Sequence, residues 1–62
     1  MKPERVLQLL NTVEQLSREL ADAQLNEEDS KLVHLLSGAK DSMKSTKIAL
    51  SNTLNYLYEQ NA

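Results

Sequence analysis

The sequence predicts an all-α fold: an antiparallel helical hairpin with a longer second helix, assembling into a homo-oligomeric helix bundle. Three observations predict it. Apolar residues recur at spacings of three and four in two long runs. The interruption between the runs, "LNEEDSK", carries residues that start helices. Finally, 62 residues with no Phe, no Trp, two Tyr and no Cys supply neither a large core nor a disulfide to staple a small one.

The first helix is expected from about Pro3 to about Ala23. Proline suits a first helical turn, where its missing N–H costs nothing. Val6, Leu9, Val13, Leu16 and Leu20 then form one apolar stripe, widened by Leu10, while Gln8, Asn11, Gln15, Arg18 and Asp22 take the other faces. A turn over about 24–26 follows. Asn26 is the expected N-cap of the second helix, with Asp29 three residues later in a capping-box-like place and Leu25 as a hydrophobic staple. Glu27 and Glu28 complement the positive end of the new helix.

The second helix is expected from about Glu27 to about Glu59, within a single domain over residues 1–62. Its stripe reads Leu32, Leu36, Ala39, Met43, Thr46, Leu50, Leu54 and Leu57, with one extra residue between Leu50 and Leu54. The stripe crosses Gly38, the only glycine, without losing phase, so the helix is read as continuous there. The alternative is a break at Gly38 that makes a three-helix bundle. At 1.5 Å per residue the two helices would measure roughly 30 and 50 Å, leaving the last turns of the second unpaired within one chain. Those turns carry Ile48, Leu50, Leu54, Tyr56, Leu57 and Tyr58, which makes them the expected interface for a second copy or a different protein.

Charge narrows the choice of partners. The net charge of −2 argues against general DNA affinity, which depends on Lys and Arg. The balance is polarised, however: residues 1–29 hold seven acids and three bases, residues 30–62 two acids and four bases. Lys40, Lys44 and Lys47 share a helix face with Ser37 and Ser51 at spacings of three and four. That ridge is a candidate for phosphate groups or an acidic partner, with Gly38 at its mouth allowing close approach. The competing reading, which we favour, is that these lysines lie over the hairpin seam and meet Glu14, Glu19 or Asp22 of the other helix.

No catalytic, cofactor or metal site is legible. "SGAKDS" lacks the second glycine and the strand–helix setting of a phosphate loop. Glu14, Glu19 and Asp22 look like solvated carboxylates, Met43 falls in the core register, and the single His34 is read as a surface or partly packed side chain. "MKPERV" has no apolar leader, and no segment approaches the roughly 20 apolar residues of a membrane span. A soluble, cytoplasmic protein is expected.

Two resemblances add to this reading. In length and hairpin design the chain is similar to the repressor-of-primer protein of plasmids, which implies a dimeric four-helix bundle and an RNA partner. Locally, "LSGAKDSMKSTKIAL", Leu36 to Leu50, resembles the long-helix segment of phage-encoded cyclic-oligonucleotide sponges that counter CBASS immunity, through Leu36, Ala39-Lys40 and Met43-Lys44. That likeness covers about a quarter of the chain. Those sponges are longer and have an N-terminal segment without a counterpart here, so no ligand contact carries over. The functions to weigh are therefore a non-enzymatic homo-oligomeric protein that binds and blocks or bridges another macromolecule, a sponge that sequesters a nucleotide signal, and an RNA-binding four-helix dimer.

Overall fold

Helix α1 spans Pro3–Leu25 and helix α2 spans Ser30–Asn61, packed side by side as a hairpin in a computed structural model that describes residues 1–61, with Asn61 described by its backbone alone. Pro3 opens α1 as the composition requires, after Lys2 in extended geometry (φ −89°, ψ 146°). α2 runs unbroken through Gly38, whose φ is not positive.

The turn differs from the sequence expectation. Asn26 is not the N-cap of α2. Its backbone N–H and its side-chain Nδ2 both donate to the Asp22 carbonyl, at 3.2 and 3.0 Å, so it closes the end of α1. The cap of α2 is Asp29: its Oδ1 accepts from the N–H groups of Lys31 (2.9 Å) and Leu32 (3.4 Å), and its carbonyl accepts the first helical bond, from Val33 at 3.0 Å. Glu27 Oε1 accepts from the N–H groups of Glu28 and Asp29, both at 3.1 Å, which fixes the four residues between the helices. An aspartate placed directly before the free N–H groups wins the cap from an asparagine three residues earlier. Leu25 is 83% exposed and staples nothing within the hairpin.

The helices also meet along a seam rotated from the expected stripes. On α1 the buried and half-buried residues are Pro3, Val6, Leu10, Val13, Ser17, Leu20 and Gln24, with Leu9 and Ala21 at the margins. On α2 they include Val33, Leu36, Lys40, Met43, Leu50, Leu54 and Leu57, an alternation of threes and fours that Lys47 completes. Both series keep the apolar residues expected at every second place. At the intervening places the hairpin takes Ser17, Gln24, Lys40 and Lys47, leaving Leu16, Leu32 and Thr46 exposed. A heptad seam tolerates such polar positions where they find partners across it.

Those partners set the register. Gln24 lies against Val33, Ser37 and Lys40, and Glu14 against Lys47. Eight residues back from Glu14 is Val6, and the antiparallel match eight residues on from Lys47 falls between Leu54 and Leu57. The last turns of α2 are therefore largely paired with the start of α1, and the unpaired overhang is shorter than the helix lengths alone suggest.

Val6 is the only fully buried hydrophobic side chain among the described residues. The molecule measures 50 × 15 × 12 Å, and its radius of gyration of 14.6 Å exceeds the about 10.6 Å of a compact chain of this length. A rod two helices wide has almost no place beyond the reach of water.

Candidate functional site

The lysine ridge is the charged feature the sequence singles out, and the hairpin treats its three members differently. Lys47 Nζ lies 2.9 Å from Glu14 Oε1. Lys40 is half-buried and its Nζ donates to Gln24 Oε1 at 3.2 Å. Lys44, one turn from each, is exposed and has no ion pair among the described residues. Of the acids weighed as partners for these lysines, Glu14 is engaged, whereas Glu19 and Asp22 make no ion pair with them.

Gln24 is the organising residue that sequence reading missed. Its Nε2 donates to the Val33 carbonyl (3.1 Å) and to Ser37 Oγ (2.6 Å), while its Oε1 accepts from Lys40. One amide thus joins the last turn of α1 to three turns of α2. Its signal was present: Gln24 lies four residues beyond Leu20, at the next place in the α1 series.

Farther along the seam, Glu14, Ser17, Arg18 and Lys47 line an open depression of about 300 Å³. The hydrogen bond from Lys47, then its charge, holds the Glu14 carboxyl below the usual glutamate range, against a smaller opposition from desolvation and with the smallest contribution from Arg18. The depression holds one carboxylate and two cations. An anion entering it would compete with Glu14 for Lys47. Among the described residues no group of three or more His, Cys, Asp or Glu side chains is placed to hold a metal ion, and His34 is exposed.

The apolar interface expected near the C-terminus divides in two. Leu50, Leu54 and Leu57 are half-buried in the register of the hairpin seam. Ile48, Tyr56 and Tyr58 remain exposed. They are joined by large apolar side chains the sequence reading did not assign to an interface: Leu16, Leu32 and Leu35 are exposed as well. Leu16 and Leu32 were placed in the hairpin stripes, and the rotation of the seam is what releases them. No helix among the described residues is long and apolar enough to cross a membrane.

No protein-family model matches the chain, and no curated protein or solved structure is significantly similar to it.

Proposed function

We propose that the protein is a small non-enzymatic interaction protein: a helical hairpin that associates with itself and binds, and so blocks or bridges, another macromolecule through helix packing. The observation that carries this reading is the exposed series Leu16, Leu32, Leu35, Ile48, Tyr56 and Tyr58, distributed along a hairpin with one fully buried hydrophobic residue among the described residues. Large apolar side chains in that number on so thin a rod favour burial against other chains.

The sponge reading draws less support. Of the three lysines it needs, Lys47 already pairs with Glu14 and Lys40 with Gln24, so a phosphate would have to displace both partners. The RNA reading relies on the same lysines, with Tyr56 and Tyr58 as the only aromatic stacking groups.

Sedimentation at micromolar concentration, followed by capture of proteins from the native host on the wild type and on Ile48→Asp and Tyr58→Asp variants, tests the proposal. The expected result is a homo-oligomer that retains a protein partner at high salt, with retention lost on at least one variant. A monomer, or an oligomer that retains nothing selectively, overturns it. Calorimetric heat with a nucleotide, abolished by Lys→Gln at Lys40, Lys44 and Lys47 together, would replace it with the sponge.

A further inference from the structure

Beyond the seam, α2 carries a second series at spacings of three and four: Leu32, Leu35, Ala39, Ser42, Thr46, Ala49, Thr53 and Tyr56. It contains no charged residue over its whole length. Each member precedes a seam residue by one position, so on a helical wheel the series points about 100° away from the seam, at the 100° per residue of an α-helix. Leu32, Leu35 and Tyr56 are exposed, and Ala39 is half-buried at the margin toward α1. On the same side of the hairpin α1 contributes Leu9 and Leu16, with Thr12 between them and the charged Arg5 and Glu19 on either side along the helix.

We propose that this face is the surface on which a second copy of the chain docks, α2 against α2 in antiparallel orientation about a two-fold axis at the level of Lys44. The inference rests on the self-association proposed above and names the face and its geometry.

The exposed area of the hairpin matches what a second copy of the chain would cover. The hairpin exposes 4890 Å², whereas a folded monomer of 7.0 kDa exposes about 4,000 Å². A two-chain body of twice that mass exposes about 6,700 Å², or about 3,350 Å² per chain. Reaching that compactness removes about 1,500 Å² from each copy, about 3,000 Å² in all, within the range of about 2,000–5,000 Å² found for obligate homodimers.

Self-complementarity selects the orientation. An isologous interface must match its own reversed pattern. Reversed about Lys44, Ala39 meets Ala49, Ser42 meets Thr46, Leu35 meets Thr53 and Leu32 meets Tyr56. Small side chains face each other in the middle, letting the helices approach, and the large ones fill both ends. Along α2, charges flank the face only at its ends and with opposite sign: Lys31 at the start of α2 falls beside Glu59 of the reversed copy. Within one chain those two residues lie about 42 Å apart along the helix and do not interact.

The threonines are prepared for burial. Thr46 Oγ1 donates to the Ser42 carbonyl and Thr53 Oγ1 to the Ala49 carbonyl, both at 2.9 Å. Their hydroxyls are satisfied inside α2, so an apolar neighbour leaves no donor unpaired. Gly38 lies at the edge of the same face, and a side-chain carbon built on it meets nothing within 4 Å in the hairpin. The hairpin alone gives no steric reason for glycine there; close approach of a second helix does.

Because the chain has no cysteine, single replacements test the geometry directly. Ala39→Cys and Ala49→Cys variants are prepared separately, mixed as reduced proteins, allowed to exchange and then oxidised, with sedimentation of each sample in parallel. The expected result is a covalent dimer in the mixture and none in either variant alone, since like positions are separated by about 15 Å along the axis and a disulfide requires Cα atoms within about 7 Å. Cross-linking of each variant alone would indicate parallel helices and overturn the proposal. An oligomer by sedimentation with no cross-link in the mixture overturns this face while leaving self-association intact, and a monomer overturns both. A charge exchange gives an independent reading: Lys31→Glu should weaken association severalfold, and adding Glu59→Lys should restore it. Failure of that rescue in a variant that still associates also counts against the antiparallel arrangement.

Discussion

Between its two helices the hairpin seats Ser17, Gln24, Lys40 and Lys47 among apolar residues, whereas the outward face of α2 from Leu32 to Tyr56 carries no charge at all. Of these two surfaces, the one that the chain closes on itself is thus the one that carries charge. Within the chain, Gln24 can meet Lys40 and Glu14 can meet Lys47 because the turn holds them together and fixes one register. Such pairs choose the alignment more than they strengthen it. The outward face has no tethered partner within the chain, and the association proposed for its exposed leucines and tyrosine would rest on apolar burial, which requires no matching charge at its centre. The contrast teaches that this hairpin places charged side chains in its seam where they set the register, and keeps charge off the face of α2 proposed for association.

The severest way to break this contrast is to put an unpartnered charge into the seam. Leu54→Asp places a carboxylate at the level of Val6, with no cation assigned to meet it. The expected cost is about 3 kcal/mol or more, from lost burial together with a poorly solvated charge. For a domain this small that means loss of cooperative thermal melting by circular dichroism and of any oligomer by sedimentation. A variant that melts as the wild type does would show that α2 does not pair with α1 at this level.

A charge of the same kind on the other surface should separate folding from association. Thr46→Lys lies at an exposed position of α2 and removes only a bond to the Ser42 carbonyl of its own helix. Its direct effect on the hairpin is expected within about 0.5 kcal/mol, as for ordinary surface changes. Oligomer mass at micromolar concentration should fall nonetheless, with helix content becoming concentration-dependent. Unchanged mass would mean that the contrast between the two surfaces has no role in assembly.

How far the sequence reveals these surfaces depends on which residues are asked. The two helices were legible because Val6, Val13 and Leu20 in α1, and Leu36, Met43, Leu50, Leu54 and Leu57 in α2, belong both to the strongest apolar pattern and to the seam. Where the two diverge, apolarity misleads: Leu16, Leu32 and Thr46 fit a stripe better than Ser17, Val33 and Lys47, yet the latter series faces the partner helix. Long amphipathic side chains such as Lys40 cover apolar surface while their heads reach a partner, and periodicity does not register this. The cap was misplaced because Asn26 and Asp29 are both good N-caps, and the competition was decided by Asn26 bonding back to Asp22. The ridge of lysines was legible, and so was its place over the seam with Glu14 among its partners; that Lys47 is the one to meet Glu14, and that Lys40 turns to Gln24, requires the register.

Gln24→Ala probes the polar part of the seam more gently. It removes the amide that receives Lys40 and reaches Val33 and Ser37, and the expected destabilisation is about 1–2 kcal/mol, because partly buried partners lose a bond without regaining full solvation. Chemical denaturation measures it. A neutral outcome would show that the bridge adds nothing to folding.

Gly38→Ala tests the edge of the outward face. An alanine there has open space and ordinary helical geometry, so helix propensity alone should stabilise the chain by up to about 1 kcal/mol. If a second α2 packs close to Gly38, part of that gain is lost as concentration rises and dimer forms. Denaturation at two protein concentrations reads the difference. A loss of stability at low concentration would instead count against the continuous helix.

The smallest effect belongs to Glu14 and Lys47, which meet at 2.9 Å in water-exposed surroundings, where ion pairs contribute little and salt screens them. The sign of the pH dependence is nevertheless fixed. Lys47 lowers the Glu14 pKa in the folded state, so the ionised carboxylate is favoured by folding. Its contribution is fully present above the pKa of glutamate in the unfolded chain and fades as pH falls through the depressed folded value. Glu14→Gln should therefore reduce stability slightly at neutral pH, have no effect once both carboxyls would be protonated, and flatten the acid limb of the melting curve between those limits. Equal displacement of wild type and variant at every pH would show that the pair is too loosely held to couple to folding, leaving Gln24 and Lys40 as the polar bridge that sets the register.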